Sequence, residues 1–161
     1  MSAIGSYEVL DRTAFAACMD LARQVRSETT GKWIFKSSRV VGLDEFTAAW
    51  SAAVRKVVHF EYSGYALGNY IDAQEAVNVA RLVDEQSEMS KTLSRVFTAG
   101  FAFDARVTLP ELPADRLEAF CRDEYGADAA EAVPAIMAAE AFYKQGLAEI
   151  TPATLVVFII R

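Results

Sequence analysis

Hydrophobic residues either alternate with polar ones or recur every three to four positions along most of the chain, and these two periods predict strands and helices. Alternation and short apolar runs predict five strands, at residues 6–10, 32–36, 57–62, 101–109 and 154–160. In the fourth strand, Phe101, Phe103 and Val107 share one face and are predicted to lie in the core, together with residues 155–160. The last strand is almost wholly apolar and β-branched, which is typical of a strand covered on both faces in the middle of a sheet.

Helical periodicity predicts about six helices, at approximately residues 13–26, 44–57, 72–84, 87–100, 113–126 and 134–146. Asp44 is predicted to cap the second helix. Asp72 with Glu75, and Asp128 with Glu131, have the spacing of capping boxes. Residues 63–70 contain two glycines and are predicted to form a loop.

Interleaved helices and strands without a linker, repeat or low-complexity tract favour a single domain over residues 1–161. The expected fold class is α/β (or α+β), a single-domain layered sandwich of two or three layers. We expect a mixed sheet of about five strands with about six helices, although the pattern does not distinguish a mixed sheet from a parallel one.

The composition is that of an ordinary globular protein, with 53% hydrophobic and 24% charged residues. Residues 1–7 carry no basic cluster and no apolar stretch of signal-peptide length, and the longest apolar run, residues 155–160, is too short to span a bilayer as a helix. We therefore expect a cytoplasmic protein without membrane contact. Cys18 and Cys121 lie on apolar helix stripes far apart in the chain, which predicts two reduced, buried thiols.

The net charge of −6 is unevenly distributed, at +2 over residues 1–57, −3 over 58–110 and −5 over 111–161. An acidic domain is repelled by phosphate backbones and attracted to basic surfaces. The charge therefore disfavours nucleic acid and favours a protein partner with a basic surface. The sequence contains no phosphate-binding glycine loop, nucleophile elbow or zincin motif. His59 is the single histidine, so neither a metal nor another cofactor is predicted.

The segment from His59 to Asp72 is the first candidate site, because it follows a predicted strand and contains glycines, a histidine and a carboxylate. His59 and Glu61 are residue types suited to acid–base chemistry. Strand alternation also places them on one face of the strand. If the residues on the other face lie in the core, His59 and Glu61 are simply exposed to solvent and have no catalytic role.

The same segment contains Tyr62, Tyr65 and Tyr70, and rigid aromatic side chains with a polar tip are favoured at protein interfaces. The three tyrosines are therefore candidate anchors for a partner. The alternative is a hydrophobic turn that the tyrosines hold in place.

Asp123, Glu124 and Asp128 form the second candidate site, around Tyr125 near a predicted helix C-terminus. Carboxylates are unfavourable there, because the helix dipole is already negative at that end. The pattern indicates either a site for a basic partner or a helix that ends elsewhere.

Three parts of the sequence resemble the start, middle and end of YfbM-like bacterial proteins, an uncharacterised family. They are MSAIGSY at residues 1–7, the stretch with Leu43, Trp50, His59 and Phe60, and AFYKQ (141–145) followed by LVVFI (155–159). The resemblance implies a bacterial cytosolic protein of α/β fold. It implies no catalytic residue.

Small size, negative charge, the aromatic segment and the missing catalytic motifs together favour a protein-binding module. The specific expectation is an acidic inhibitor or immunity protein that neutralises a basic toxin or effector. Two alternatives stay open, namely a small enzyme that uses His59 and Glu61, and a structural or regulatory subunit of a larger assembly.

Overall fold

The computed structural model describes residues 3–30, 37–74, 80–83 and 88–161, and the structural statements below concern these residues. The strands are β1 (Ile4–Asp11), β2 (Arg26–Thr30), β3 (Ser37–Val41), β4 (Val54–Ser63), β5 (Ala80–Arg81), β6 (Ala99–Phe103) and β7 (Thr154–Ile160). The helices are α1 (Arg12–Gln24), α2 (Leu43–Ala53), α3 (Tyr65–Ala73), α4 (Glu88–Leu93), α5 (Ala114–Tyr125) and α6 (Ala129–Ala148). The predicted strand at residues 32–36 lies outside the described residues.

Five strands form one sheet in the order β4-β1-β7-β6-β5, while β2 and β3 form a separate two-stranded ribbon. Every strand pairing in the described part of the chain is antiparallel, so the expected mixed sheet is wrong and the architecture is α+β. About six helices were expected, and only four of the six that are described extend over three turns or more. Four helices have eleven or more residues, whereas α3 and α4 have nine and six.

β7 is the central strand, as predicted, and all seven of its residues are buried. It pairs with β1 on one side and with β6 on the other, so that Tyr7 and Phe101 both lie opposite Phe158. Since side chains alternate between the two faces of a strand, β7 contributes apolar residues to both faces of the sheet.

Each face of the sheet carries a layer of helices, which gives a three-layer sandwich. Val156, Phe158 and Ile160 pack against α3, α5 and α6. Leu155, Val157 and Ile159 pack in one cluster with α1 and α2 and with Leu82, Leu93 and Phe97. The buried strand therefore has a hydrophobic core on each side.

One charged residue, Glu8, is buried in the layer formed by α1 and α2. Trp50 Nε1 donates to one of its carboxylate oxygens at 2.6 Å, and Arg161 Nη2 donates to the other at 2.7 Å. The Arg161 guanidinium also lies 5.2 Å from the centre of the Phe97 ring. Both carboxylate oxygens are therefore satisfied, as a buried charge requires.

The segment at residues 63–84 differs most from the prediction. Residues 65–73 form α3 rather than a loop, and α3 ends at Ala73, so Asp72 lies in its last turn instead of capping a new helix. Glu75 and part of the helix predicted at residues 72–84 lie outside the described residues. Ala80 and Arg81 are in a strand. The buried side chains of α3 have helical spacing, but Gly64 and Gly68 concealed this pattern because glycine ordinarily indicates a turn. They are Ala66, Leu67, Tyr70, Ile71 and Ala73.

The strand predicted at residues 101–109 ends early, at Phe103. Phe101 and Phe103 are buried as expected, but Val107 is 44% exposed, so its placement in the core is wrong. β7 begins at Thr154 and the ladder stops at the pair Phe103–Val156. The residues after Phe103 have no strand to pair with in the described part of the chain, although apolar and polar residues continue to alternate there.

Two predicted helix caps are also corrected. Gly42, in the left-handed region at φ 88°, precedes α2, and Asp44 lies in the first turn instead of at the cap. Asp128 precedes α6, but its side chain makes no capping hydrogen bond. α6 begins at Ala129 and ends at Ala148, so it extends beyond both ends of the helix predicted at residues 134–146, and its Met137 side chain is exposed.

Replacing Phe103 by Ala should lower the free energy of unfolding by about 3–5 kcal/mol, because its ring packs against Tyr143 and Phe158. The exposed Val107 is the control, and Val107→Ala should change stability by less than about 0.5 kcal/mol. Urea denaturation of the two variants checks this. Equal effects would contradict the assigned end of β6.

The thiols of Cys18 and Cys121 are free and buried, and burial raises the pKa of each. Less thiolate is then present near neutral pH, so we expect slow modification by a thiol reagent in the native state and fast modification in denaturant. A rapid reaction of either thiol without denaturant would contradict the packing of α1 or α5.

Candidate functional site

A groove runs between the outer strand β4 and helix α6, with a volume of about 300 Å³. Ala138 and Ala141 are small, which leaves this space open beside the larger rings of Phe60 and Phe142. We call it the β4–α6 groove. It is lined by Val58, His59, Phe60, Glu61, Ala138, Ala141, Phe142 and Gln145.

His59 and Glu61 both border this groove, and both side chains are exposed. His59 lies opposite Ser6 in the β1–β4 ladder, whereas Phe60 is buried with its ring centre 5.0 Å from that of Phe142. No hydrogen bond joins the histidine to the carboxylate among the described contacts. The structure thus brings the two residues to one groove, where they do not form a coupled pair.

Tyr62 and Tyr65 are on the surface at the end of β4 and the start of α3, with 42% and 50% of their area exposed. The ring centre of Tyr62 lies 5.7 Å from that of Phe60, which connects it to the groove. Both tyrosines are therefore placed to contact another molecule.

Tyr70 is completely buried and does not belong to this surface. Its ring stacks on Tyr143 at a centroid distance of 5.3 Å, and burial raises the pKa of its hydroxyl to about 12. The residue was expected on a loop. Because residues 65–73 form a helix instead, Tyr70 falls on the inward face beside Leu67 and Ile71.

The position of α3 depends on a close approach between two glycines. Gly64 N donates to the carbonyl of Ala3 at 2.8 Å, and a Cβ on Gly64 would lie 2.8 Å from the backbone nitrogen of Gly5. Only a residue without a side chain fits here. This contact fixes the start of α3, and with it Tyr65, against β1.

Asp123 and Glu124 lie in the last turn of α5, and Asp128 in the 3-10 turn that follows. All three are exposed, and none forms a salt bridge within the described part of the chain. α5 does end at Tyr125, so two of the acids are at the unfavourable end of the dipole. The Asn69 side-chain amide donates to the Tyr125 hydroxyl, and this bond joins the acidic turn to α3.

The cations nearest the groove are already paired. Lys56 bonds to Glu149, and Lys144 Nζ lies 2.6 Å from Glu140 Oε1. Glu61 has no partner of this kind in the part of the chain that the structure describes. Glu61 therefore contributes a negative charge to the lining of a groove that is otherwise largely apolar.

Exposed apolar residues concentrate at this end of the sheet, which the sequence pattern did not reveal. Of six large hydrophobic side chains described as exposed, five lie on β4 or beside it: Ile4, Val57, Tyr62, Tyr65 and Met137. Ile4 lies opposite Ser63 in the ladder, and Met137 is one helical turn before Ala141. The alternating pattern of β4 predicts a strand. Its position at the edge of the sheet depends on the pairing of distant segments, so the local sequence does not reveal that its apolar residues are exposed.

No protein-family model, curated protein or solved structure matches this chain. The resemblance to YfbM-like proteins accordingly stays an expectation. Within the described ranges, no helix is long and apolar enough to cross a membrane, and no group of three His, Cys, Asp or Glu residues could hold a metal.

Replacing Gly64 by Ala should destabilise the fold by about 1–3 kcal/mol, because the new methyl group would overlap the backbone of β1. Gly68→Ala is the matched control inside α3. Its Cβ would meet only the Ile160 Cδ1 atom, at 3.6 Å, so the variant should be neutral or up to about 1 kcal/mol more stable. Thermal unfolding distinguishes them, and a neutral Gly64→Ala would exclude the proposed contact.

Proposed function

We propose that this chain is a protein-binding module for a partner with a basic surface, of the kind expected of an inhibitor or immunity protein that neutralises a toxin or effector. One observation carries the proposal. Exposed Tyr62 packs on Phe60 beside the β4–α6 groove, and exposed Tyr65 begins α3. A hydrogen bond joins α3 to the turn that carries three exposed carboxylates, none of which has a salt bridge among the described residues.

The apolar part of this surface supplies the short-range attraction. Tyr62 and Tyr65 can bury a large area on binding at a small entropic cost, since each has few rotatable bonds. The ring of Phe60 contacts both Tyr62 and Phe142, and the two phenylalanines line the open groove of about 300 Å³. This arrangement of aromatic anchors beside a pocket is typical of interface hot spots.

The acidic part supplies long-range attraction. Asp123, Glu124 and Asp128 are exposed beside Tyr125, which is bonded to Asn69 one helical turn after Tyr65. The acids are therefore close enough to the tyrosines to belong to one interface. The positions of Asp123 and Glu124 at the C-terminus of α5 are unfavourable for stability, and a basic partner would offset that cost.

The enzyme alternative has less support. His59 and Glu61 share the groove, but its other lining side chains are apolar except for the amide of Gln145. A nucleophile or a group of converging hydrogen-bond donors would be needed for the usual acyl or phosphoryl chemistry. The described lining of the groove contains neither.

The test begins with capture of partners from the native cell, followed by binding kinetics of variants against the recovered protein. Tyr65→Ala should raise Kd by about thirtyfold or more, mainly through faster dissociation, as loss of an aromatic anchor does. Tyr70→Phe is the control and should bind normally, because Tyr70 is buried.

The charge contribution is tested with a triple variant, Asp123→Asn, Glu124→Gln and Asp128→Asn. Its association rate should fall severalfold at low salt and approach that of the native protein at high salt. The control is a second triple variant that loses the same number of negative charges elsewhere. It neutralises Glu111, which precedes α5, and Asp115 and Glu118, which lie in α5. An equal loss in both triple variants would mean that net charge alone acts. If the purified protein turns over a small molecule and the His59→Ala variant has lost this activity, the chain is an enzyme and the proposal is wrong.

A further inference from the structure

Two arginines converge on a second cleft, at the end of the sheet opposite Tyr62 and Tyr65. Arg12 is the first residue of α1, and Arg106 lies in the segment after β6. The cleft has a volume of about 500 Å³, within the range of small-molecule sites. Its other lining residues are Asp104, Ala105, Ile150, Thr151 and Pro152.

Backbone carbonyl groups hold the side chain of Arg12 in place. Its Nη2 atom donates to the carbonyl oxygens of Asp104 at 2.6 Å, Thr154 at 2.9 Å and Thr151 at 3.2 Å. The guanidinium is therefore immobilised without being neutralised, because a carbonyl group is a dipole and carries no net charge.

Arg106 is held in the same way. Its Nε donates to the carbonyl of Ile150 at 2.8 Å, and its Nη2 donates to that of Ala148 at 2.9 Å. Neither Arg106 nor Arg12 forms a salt bridge with any carboxylate that the structure describes. The remaining N–H groups, on Nη1 of each arginine and on Nε of Arg12, have no described acceptor.

The cleft is thus a positive site in a protein whose net charge is −6. Arg12 is the first residue of α1, and the carboxylate of Asp11, which caps this helix by accepting from Ala14 N at 3.0 Å, is paired with Arg55. The carboxylate of Asp104 is the one opposing charge among the residues that line the cleft. Fixed donors lose little entropy when they bind an anion, and guanidinium N–H groups form strong charge-assisted hydrogen bonds to carboxylate and phosphate oxygens.

We propose that this cleft binds a small molecule through a carboxylate or phosphate group. The free N–H groups of Arg12 and Arg106 donate to the oxyanion, while Ile150 and Pro152 contact the apolar part of the ligand. The site is separate from the β4–α6 groove, so its existence does not depend on a protein partner.

Isothermal titration of the purified protein with inorganic phosphate and with butyrate tests the proposal, at constant ionic strength set with chloride. At least one probe should bind saturably to a single site. Saturation by phosphate alone, by butyrate alone or by both identifies which oxyanion the cleft accepts. A lack of saturable binding by either probe overturns the proposal.

Variants locate the binding. Arg106→Gln should weaken it by at least about tenfold, whereas Arg122→Gln, which removes an exposed arginine in α5, should leave it unchanged. Asp104→Asn retains every backbone carbonyl that holds the arginines, and it should tighten binding by about twofold to fivefold because it removes the opposing charge. A purely structural role for the arginines predicts no such gain. If Arg106→Gln does not fold, unchanged affinity in Asp104→Asn still contradicts the site.

Discussion

The burial of β7 on both faces is the constraint on which the rest of the structure depends. A strand made of Leu, Val, Phe and Ile leaves no polar face for solvent, so each side of the sheet must be covered by helices. α3, α5 and α6 cover one side, and α1 and α2 with Leu82, Leu93 and Phe97 cover the other. The two cores then share one strand. A change in β7 therefore acts on both, and the pairing with β1 and β6 fixes the register of the whole sheet.

Much of this architecture is visible in the sequence, because the signals concerned are strong and local. The apolar run at residues 154–160, the helical stripe with Cys18 and the helix that Gly126 closes all appear where they were predicted. The wrong predictions share a cause. The pattern of residues within one segment does not show which other segments it packs against in the fold. Val107 continues the alternation of Phe103 but lies past the end of the neighbouring strand. Gly64 resembles a loop residue, yet its function is to allow α3 to approach β1.

The candidate site shows the same division. Tyr62 and Tyr65 are exposed, as a binding role requires, while the helical path of the chain places Tyr70 in the core. The three acids were grouped by their proximity in sequence. Their connection to α3 through Tyr125 and Asn69 joins residues 56 positions apart and could not be inferred from either segment. The same holds for Glu8, whose partners Trp50 and Arg161 come from distant parts of the chain. Pairings of this kind are set by topology, and a single sequence does not reveal them.

The order of the strands has a consequence for how the protein is made. β7 follows every other strand and helix of the described structure in the chain, although it lies at the centre of the sheet, where Gly5 pairs with Ile160. While the ribosome synthesises the chain, β1 and β4 emerge early, and β1 then has an open edge until β7 arrives. The nascent chain must keep two half-formed cores from associating with other chains during this interval. A translation product that stops before residue 154 lacks the strand that both cores share, and it is a natural substrate for chaperones and proteases.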